Sequence, residues 1–332
     1  MSGKSFSNRL SWRILLIVMV FSIIAQVVMT LFVANASNQF SDLFRESRAM
    51  LIYMNGIALV SLVVLFFVCR AIINRMTRYR EELTLTAEAN ARMESDLTLA
   101  RNIQLGMVST DFPPYMYALL DPAKEVGGDL YNFIVKDDRL YFAIGDVSGK
   151  GLPASLVMAI TSATLRLVVE MGLPMDETLQ RINDSFSKSN RSDMFVTLFI
   201  ASVELKTGRM EYCNAGHCPI LVIPPDEAPY LLKCTPNIAV GMFEHFQYVA
   251  EQTSFKAGTR LVAYTDGVTE AERDDLSLFG SERLLRWAGH VQQDGRDWDE
   301  KKVVESLFQT VREFADGNKQ NDDIAIVEIN IK

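Results

Sequence analysis

Two long apolar runs dominate the first seventy positions. No charged residue falls between Arg13 and Asp42, and Ile14 to Ala34 is almost wholly apolar. A second uncharged run, Ala49 to Cys69, closes at Arg70. Either run can cross a bilayer as a helix, which takes about 20 apolar residues. Lys4, Arg9 and Arg13 precede the first, and Arg70, Arg75, Arg78 and Arg80 follow the second. The segment between them offsets Arg45 and Arg48 with Asp42 and Glu46. Basic residues favour the cytoplasmic side. The pattern predicts a cytoplasmic N-terminal segment at 1–13, transmembrane helices at 14–34 and 49–69, and a short external loop at 35–48. Everything after Arg70 is then cytoplasmic.

From Arg75 to about Met107 the chain reads as one helix without proline. Met76, Tyr79, Leu83, Thr86, Asn90, Met93, Leu97, Ala100, Gln104 and Met107 recur at alternating three- and four-residue steps. Such a seam suits a short parallel coiled coil; a single amphipathic helix lying on the following domain fits it too. Gly106, Asp111 and Pro113-Pro114 then mark a boundary. We place a helical linker at 70–110 and a globular domain at 111–332.

Within that domain, strands are expected at Leu130–Val135 and Arg139–Ile144, joined by a turn at Lys136-Asp137-Asp138. Two amphipathic helices follow, Ala154–Met171 and Met175–Ser189. A β-rich stretch covers Phe195–Glu204, Arg209–Asn214, Ile220–Ile223, Tyr248–Phe255 and Arg260–Ala263. Helices at Ser281–His290 and Glu300–Ala315 precede a last strand at Asp323–Ile331. Strands grouped with strands, interrupted by helix pairs, predict an α+β fold with antiparallel sheets.

Charge narrows the function. The chain carries 33 basic and 41 acidic side chains, a net −8. Residues 1–110 hold 11 basic and 7 acidic groups, whereas 111–332 hold 22 and 34. A globular part this acidic lacks the basic footprint of a nucleic-acid binder. Four cysteines, Cys69, Cys213, Cys218 and Cys234, make no disulfide framework in 332 residues.

The candidate chemistry lies on acidic turns at strand ends. Gly127-Gly128-Asp129, the run from Gly145-Asp146-Val147 to Gly149-Lys150-Gly151, Thr265-Asp266-Gly267, and Asp322-Asp323 each adjoin an apolar strand. Gathered at one sheet end, these carboxylates would raise one another's pKa unless a cation neutralised them. Oxygen-only donors select hard ions, Mg²⁺ or Mn²⁺ over Zn²⁺. A pair of such ions can activate water against a phosphoester. The glycine-rich run is no P-loop, having three residues between its glycines and Gly151 after the lysine. Cys213, His217 and Cys218 crowd together without the paired spacing of a zinc site, and His217 is expected to be structural or peripheral.

Taken in order, Glu125-Val-Gly-Gly-Asp129-Leu-Tyr131, Gly145 to Ala154, Asn214-Ala-Gly-His217, Tyr264 to Glu270 and Asp322-Asp-Ile324 resemble SpoIIE/RsbU-type phosphatases. These are the bacterial branch of the metal-dependent PPM (type 2C) serine/threonine protein phosphatases. Leu97 to Gln104 is similar to the helix that enters such domains. The resemblance covers about residues 95 to 332. It implies an αββα sandwich with two antiparallel sheets, outer helix pairs and a two-ion Mn²⁺ or Mg²⁺ site. It places Asp146 and Asp266 at the catalytic centre, with Asp146 bridging and the Val147 carbonyl completing one site. Asp266 and Asp322 would hold one ion and Asp129 the other, with Asp323 as the alternative to Asp322. Glu125, Gly128, Gly149, Lys150, His217 and Gly267 would line its surroundings. Asn132, Cys218 and Ala325 depart from the family pattern without removing a principal ligand.

The resemblance further implies a phosphorylated STAS-type anti-anti-sigma regulator as substrate, in a partner-switching circuit. With the two spans it predicts a multi-pass protein of the bacterial inner membrane, both termini cytoplasmic, dimerising through its linker. A catalytically weak phosphoprotein-binding scaffold on the same fold is the alternative class.

Overall fold

The computed structural model describes residues 2–38, 45–189 and 194–332. Its contacts fall into two compact units, Met1–Arg92 and Met93–Lys332. The first contains α1 (Ser2–Asn38) and most of α2 (Arg45–Met107). Helix α1 takes in the first apolar run, while the 63 residues of α2 carry the second run and the linker without a break. Residues 39–44 of the expected external loop lie outside the described residues, and its flanks are helical. Along both runs most of the described apolar side chains are exposed, Phe21, Phe32 and Tyr53 among them. Leu152–Val169 is also long and apolar enough to span, but it is a half-buried helix of the second unit.

The second unit runs β1 (Met116–Asp121), β2 (Leu130–Lys136), β3 (Arg139–Val147), α3 (Leu152–Val169), α4 (Met175–Ser189), β4 (Val196–Glu204) and β5 (Arg209–Ala215). It continues through β6 (Leu221–Ile223), β7 (Tyr230–Leu231), β8 (Glu251–Ser254), β9 (Arg260–Tyr264), α5 (Asp266–Thr269), α6 (Gly280–Asp294), α7 (Glu300–Ala315) and β10 (Ile324–Asn330). The strands form two five-stranded antiparallel sheets, ordered β1-β10-β9-β6-β7 and β2-β3-β4-β5-β8.

Alternation along the strands builds the layers. On β3, Leu140, Phe142 and Ile144 turn to the opposite sheet, where Val327 and Ile329 of β10 meet them. Ala143 and Val147 turn outward to Met158 and Leu165 of α3 and to Leu179 and Ile182 of α4. On the other side, Val262 and Ile326 meet Leu284 and Trp287 of α6 and Val303 and Leu307 of α7. The result is helix pair, sheet, sheet, helix pair. Full burial of such a side chain contributes about 1.5–3 kcal/mol, so the three layers hold the sandwich together.

Several elements differ from the sequence expectation. Strand β3 runs on to Val147 rather than stopping at Ile144, because β4 pairs with it through Val147↔Val196. Helix α3 starts at Leu152 with Pro153 in its first turn, where a missing N–H costs nothing. The stretch expected from Tyr248 is strand only at Glu251–Ser254, since its partner there spans Arg209–Tyr212. Strand β1, which follows the proline pair and pairs along one edge of β10, is an element the hydrophobic pattern did not single out.

Candidate metal centre

Both sheets deliver acid to one edge. Asp129 immediately precedes β2, and Asp146 is the penultimate residue of β3. The Leu130↔Gly145 pairing sets these two side by side. From the other sheet, Asp266 opens α5 after one residue, Thr265, beyond the end of β9, and Asp322-Asp323 lead into β10. Here Thr265 N–H donates to the Ala325 carbonyl at 3.1 Å, fixing the two strand ends.

Thr265 ties the sheets together. Its hydroxyl, fully buried, donates to Asp129 Oδ2 at 2.6 Å and accepts from Ala325 N–H at 2.8 Å. A side chain that accepts from one sheet and donates to an acid of the other fixes the spacing between them. The sequence gives no periodic signal for this role, which rests on a contact 136 residues long.

The carboxylates raise one another's proton affinity. Burial, then the charge of Asp146, holds Asp129 well above the ordinary carboxylate range, although the Thr265 hydroxyl opposes this. Asp146 is pushed up to about 7, first by burial and then by Asp266 and Asp322. Asp266 rises through burial and the charge of Glu270. Such crowding of acids at a protein edge is costly unless positive charge meets it.

Asp322 and Asp323 have different surroundings. Asp323 is buried, and both its oxygens accept from backbone: Oδ1 from Ala123 N–H at 2.8 Å and Oδ2 from Gly128 N–H at 2.6 Å. It pins the loop before β2. Asp322 instead faces Lys150, whose Nζ lies 2.8 Å from its Oδ2 and 2.8 Å from the Asn321 carbonyl. That contact raises the Lys150 pKa.

Glycine is required where the loop meets the strand. A Cβ at Gly128 would come within 2.9 Å of the Val147 carbonyl and 3.2 Å of Asp146 Oδ1. The Val147 carbonyl therefore lies beside the acids, and any side chain at 128 would fill that space. Gly149, at φ +93°, turns the chain so that Lys150 reaches Asp322.

The remaining expected residues surround this group or stand apart from it. Gly267 packs against the Asp323 carbonyl. His217 is buried beneath β3: its Nδ1 lies 3.0 Å from Thr197 Oγ1, which donates to the Asp146 carbonyl at 3.3 Å. Burial lowers its pKa to about 4, so it is a neutral support. Cys218 is half-buried, its thiol pushed up to about 12 by burial. Glu125 is exposed in the loop ahead of Gly127.

Two contacts from the entering helix were not foreseen. Gln104 is buried and doubly bonded to Gly127: its Nε2 donates to the carbonyl at 2.7 Å and its Oε1 accepts from N–H at 3.2 Å. Asn132 accepts from Arg166 Nε at 3.1 Å and donates to Ser162 Oγ at 2.6 Å, while Arg166 Nη2 donates to the Met107 carbonyl at 2.9 Å. The end of α2 thus touches both the loop bearing Asp129 and helix α3.

The donor set is all oxygen, as a hard divalent cation requires. Among the described residues, no three acidic, imidazole or thiol groups converge on one point as their side chains stand. Thr265 takes Asp129 Oδ2 and Lys150 takes Asp322 Oδ2. Carboxylates this crowded, with Asp146 near pH 7 in affinity, fit cation binding.

Comparison with known proteins agrees in fold and family. The family model described as Stage II sporulation protein E (SpoIIE) matches residues 136–332, more than half of the chain. Protein IcfG of Synechocystis sp. is 26% identical over 266 residues, covering 70% of this chain and 41% of its own length. Phosphoserine phosphatase RsbU of Bacillus subtilis is 24% identical over 272 residues, covering 79% of this chain and 77% of its own. The SiaA-PP2C domain of Pseudomonas aeruginosa superposes with a TM-score of 0.64 at 20% identity, over 74% of this chain and 99% of that one. That likeness is to the two-sheet α+β architecture.

Proposed function

The chain belongs to the SpoIIE family, and we propose that it is a membrane-tethered, metal-dependent phosphoserine/phosphothreonine protein phosphatase. The observation that carries this reading is the delivery of Asp129, Asp146, Asp266 and Asp322 to one edge from four strand ends, with Asp146 pushed up to about 7. Two RsbU- and RsbP-type relatives are named phosphoserine phosphatases.

Asp146, flanked by acids of both sheets, would hold the metal at the centre of the group, with the Val147 carbonyl beside it. Asp129, Asp266 and Asp322 would complete the set of residues that holds the ions. Asp322 is preferred over Asp323 because both Asp323 oxygens are committed to backbone amides. Mn²⁺ or Mg²⁺ held there would supply a water of lowered pKa and positive charge for the phosphoryl oxygens. Thr265 keeps Asp129 oriented, and Thr197 and His217 support the strand under Asp146. Lys150 stands half-exposed at the rim with its charge toward the acids, available to an incoming phosphate when Asp322 is otherwise neutralised.

The substrate we assign is a phosphorylated STAS-type regulator in a partner-switching circuit, met by a catalytic domain held at the bacterial inner membrane by α1 and the start of α2. Signals would reach the domain through α2, whose last turns touch Gly127. In the test, the full-length chain is given a phosphoserine peptide with Mn²⁺, with Mg²⁺, or after exhaustive EDTA treatment. Hydrolysis is expected only with a divalent ion. Undiminished turnover after EDTA overturns the metal assignment, and phosphopeptide binding without turnover under any ion leaves a scaffold.

A further inference from the structure

Helix α3 buries one face and leaves the other bare. Ala154, Met158, Leu165 and Val168 pack inward with α4 and the sheet. On the outer face Leu152, Leu156, Ile160 and Leu167 are 46, 58, 59 and 70% exposed, and Met171, in the turn that closes the helix, is 61% exposed. Ala163 lies exposed among them. No charge interrupts the helix before Arg166. A helix apolar on both sides, with only one side in the core, presents a contiguous patch of the kind that marks an interaction site.

The spacing of this stripe identifies its occupant. The steps from Leu152 to Met171 are four, four, three, four and four residues, the same read from either end. Turned end for end about an axis between Thr161 and Ser162, Leu152 meets Met171, Leu156 meets Leu167 and Ile160 meets Ala163. The bulkiest central side chain falls opposite the smallest. Arg166 and Glu170 fall opposite Val157 and Pro153, so like charges do not face each other. An isologous contact needs this self-complementarity, and a bilayer or an unrelated helix does not. From their exposures the six residues offer on the order of 500 Å² per copy, and two copies reach the roughly 1,000 Å² a specific interface needs.

We infer that α3 pairs antiparallel with α3 of a second copy of this chain about a twofold axis. The pairing seats each Met171 against the partner's Leu152, two residues beyond Lys150. Each copy therefore braces the start of the helix that follows the other's Asp146–Gly151 turn. This inference is independent of the chemistry assigned to the acids.

The test uses full-length chains carrying Leu156→Cys or Leu167→Cys, each with Cys69→Ser, co-expressed with different tags and treated with a short bismaleimide. Peptide mass spectrometry is expected to find a 156–167 linkage between differently tagged copies, and neither variant alone should link to itself at that position. Ile160→Glu, on a face exposed in the single chain, should cut the linkage at least tenfold without loss of thermal stability. A 156–156 linkage, or protection of position 156 only by phosphatidylglycerol–phosphatidylethanolamine vesicles, would each overturn the pairing.

Discussion

Asp146 is subject to opposing demands, because the fold buries a carboxyl that the assigned chemistry needs ionised. Its proton affinity rises to about 7. A carboxyl whose folded pKa lies above its unfolded value stabilises the fold at low pH and loses that contribution as pH rises through the folded value. Asp129 and Asp266 shift in the same direction. The metal-free chain should therefore melt progressively lower as pH rises from about 4 to about 7, and Mn²⁺ should restore the loss. Asp146→Asn keeps the shape without the charge. It should flatten the pH slope measured by thermal denaturation in EDTA and reduce turnover more than tenfold, a loss above about 1.4 kcal/mol. A variant retaining more than a tenth of wild-type activity would remove Asp146 from the centre.

At the scale of elements, the end of α2 meets the loop before β2 that leads to Asp129. Gln104 satisfies both backbone groups of Gly127, next to Gly128, whose amide is held by Asp323. Removing one partner of a buried hydrogen bond leaves the other unsatisfied, at about 1–3 kcal/mol. Gln104→Ala should therefore loosen the Asp129 loop and raise the Mn²⁺ concentration for half-maximal activity several-fold. Thermal stability should fall by only a few degrees. A metal titration indistinguishable from wild type would leave α2 as a tether. The later members of the linker seam, Leu97, Ala100, Gln104 and Met107, are half-buried or buried, whereas Met76 to Met93 are exposed. The amphipathic-helix reading thus suits the final turns, and the exposed part retains the pattern of a seam.

Across the whole molecule, two kinds of surface divide the chain. The second unit closes its apolar residues into three layers. Most described apolar residues of α1 and of the start of α2 are exposed, and none between Ile52 and Val68 is fully buried. Bilayer insertion of both segments predicts that the protein stays in the membrane pellet after alkaline carbonate extraction and leaves it only with detergent. Recovery in the carbonate supernatant would refute spanning helices.

Periodicity alone determined the apolar runs, the long linker helix, the amphipathic helices at Met175–Ser189 and Glu300–Ala315, and most strands of both sheets. These follow from local rules of spacing, because each element buries a face set by its own period. The Asp137-Asp138 hairpin was equally legible: both residues adopt positive φ, as a two-residue turn there demands. The ordered acidic motifs pointed to one chemistry before any strand was paired. Tertiary structure decided which acids face one another, since that depends on registers such as Leu130↔Gly145 and Ile326↔Tyr264. It separated Asp322 from Asp323, adjacent residues whose carboxylates meet an ammonium in one case and two amides in the other. It alone gave Thr265, Gln104 and Asn132 their roles. Their partners are distant in sequence, and a single polar side chain has no period by which a distant partner could be read.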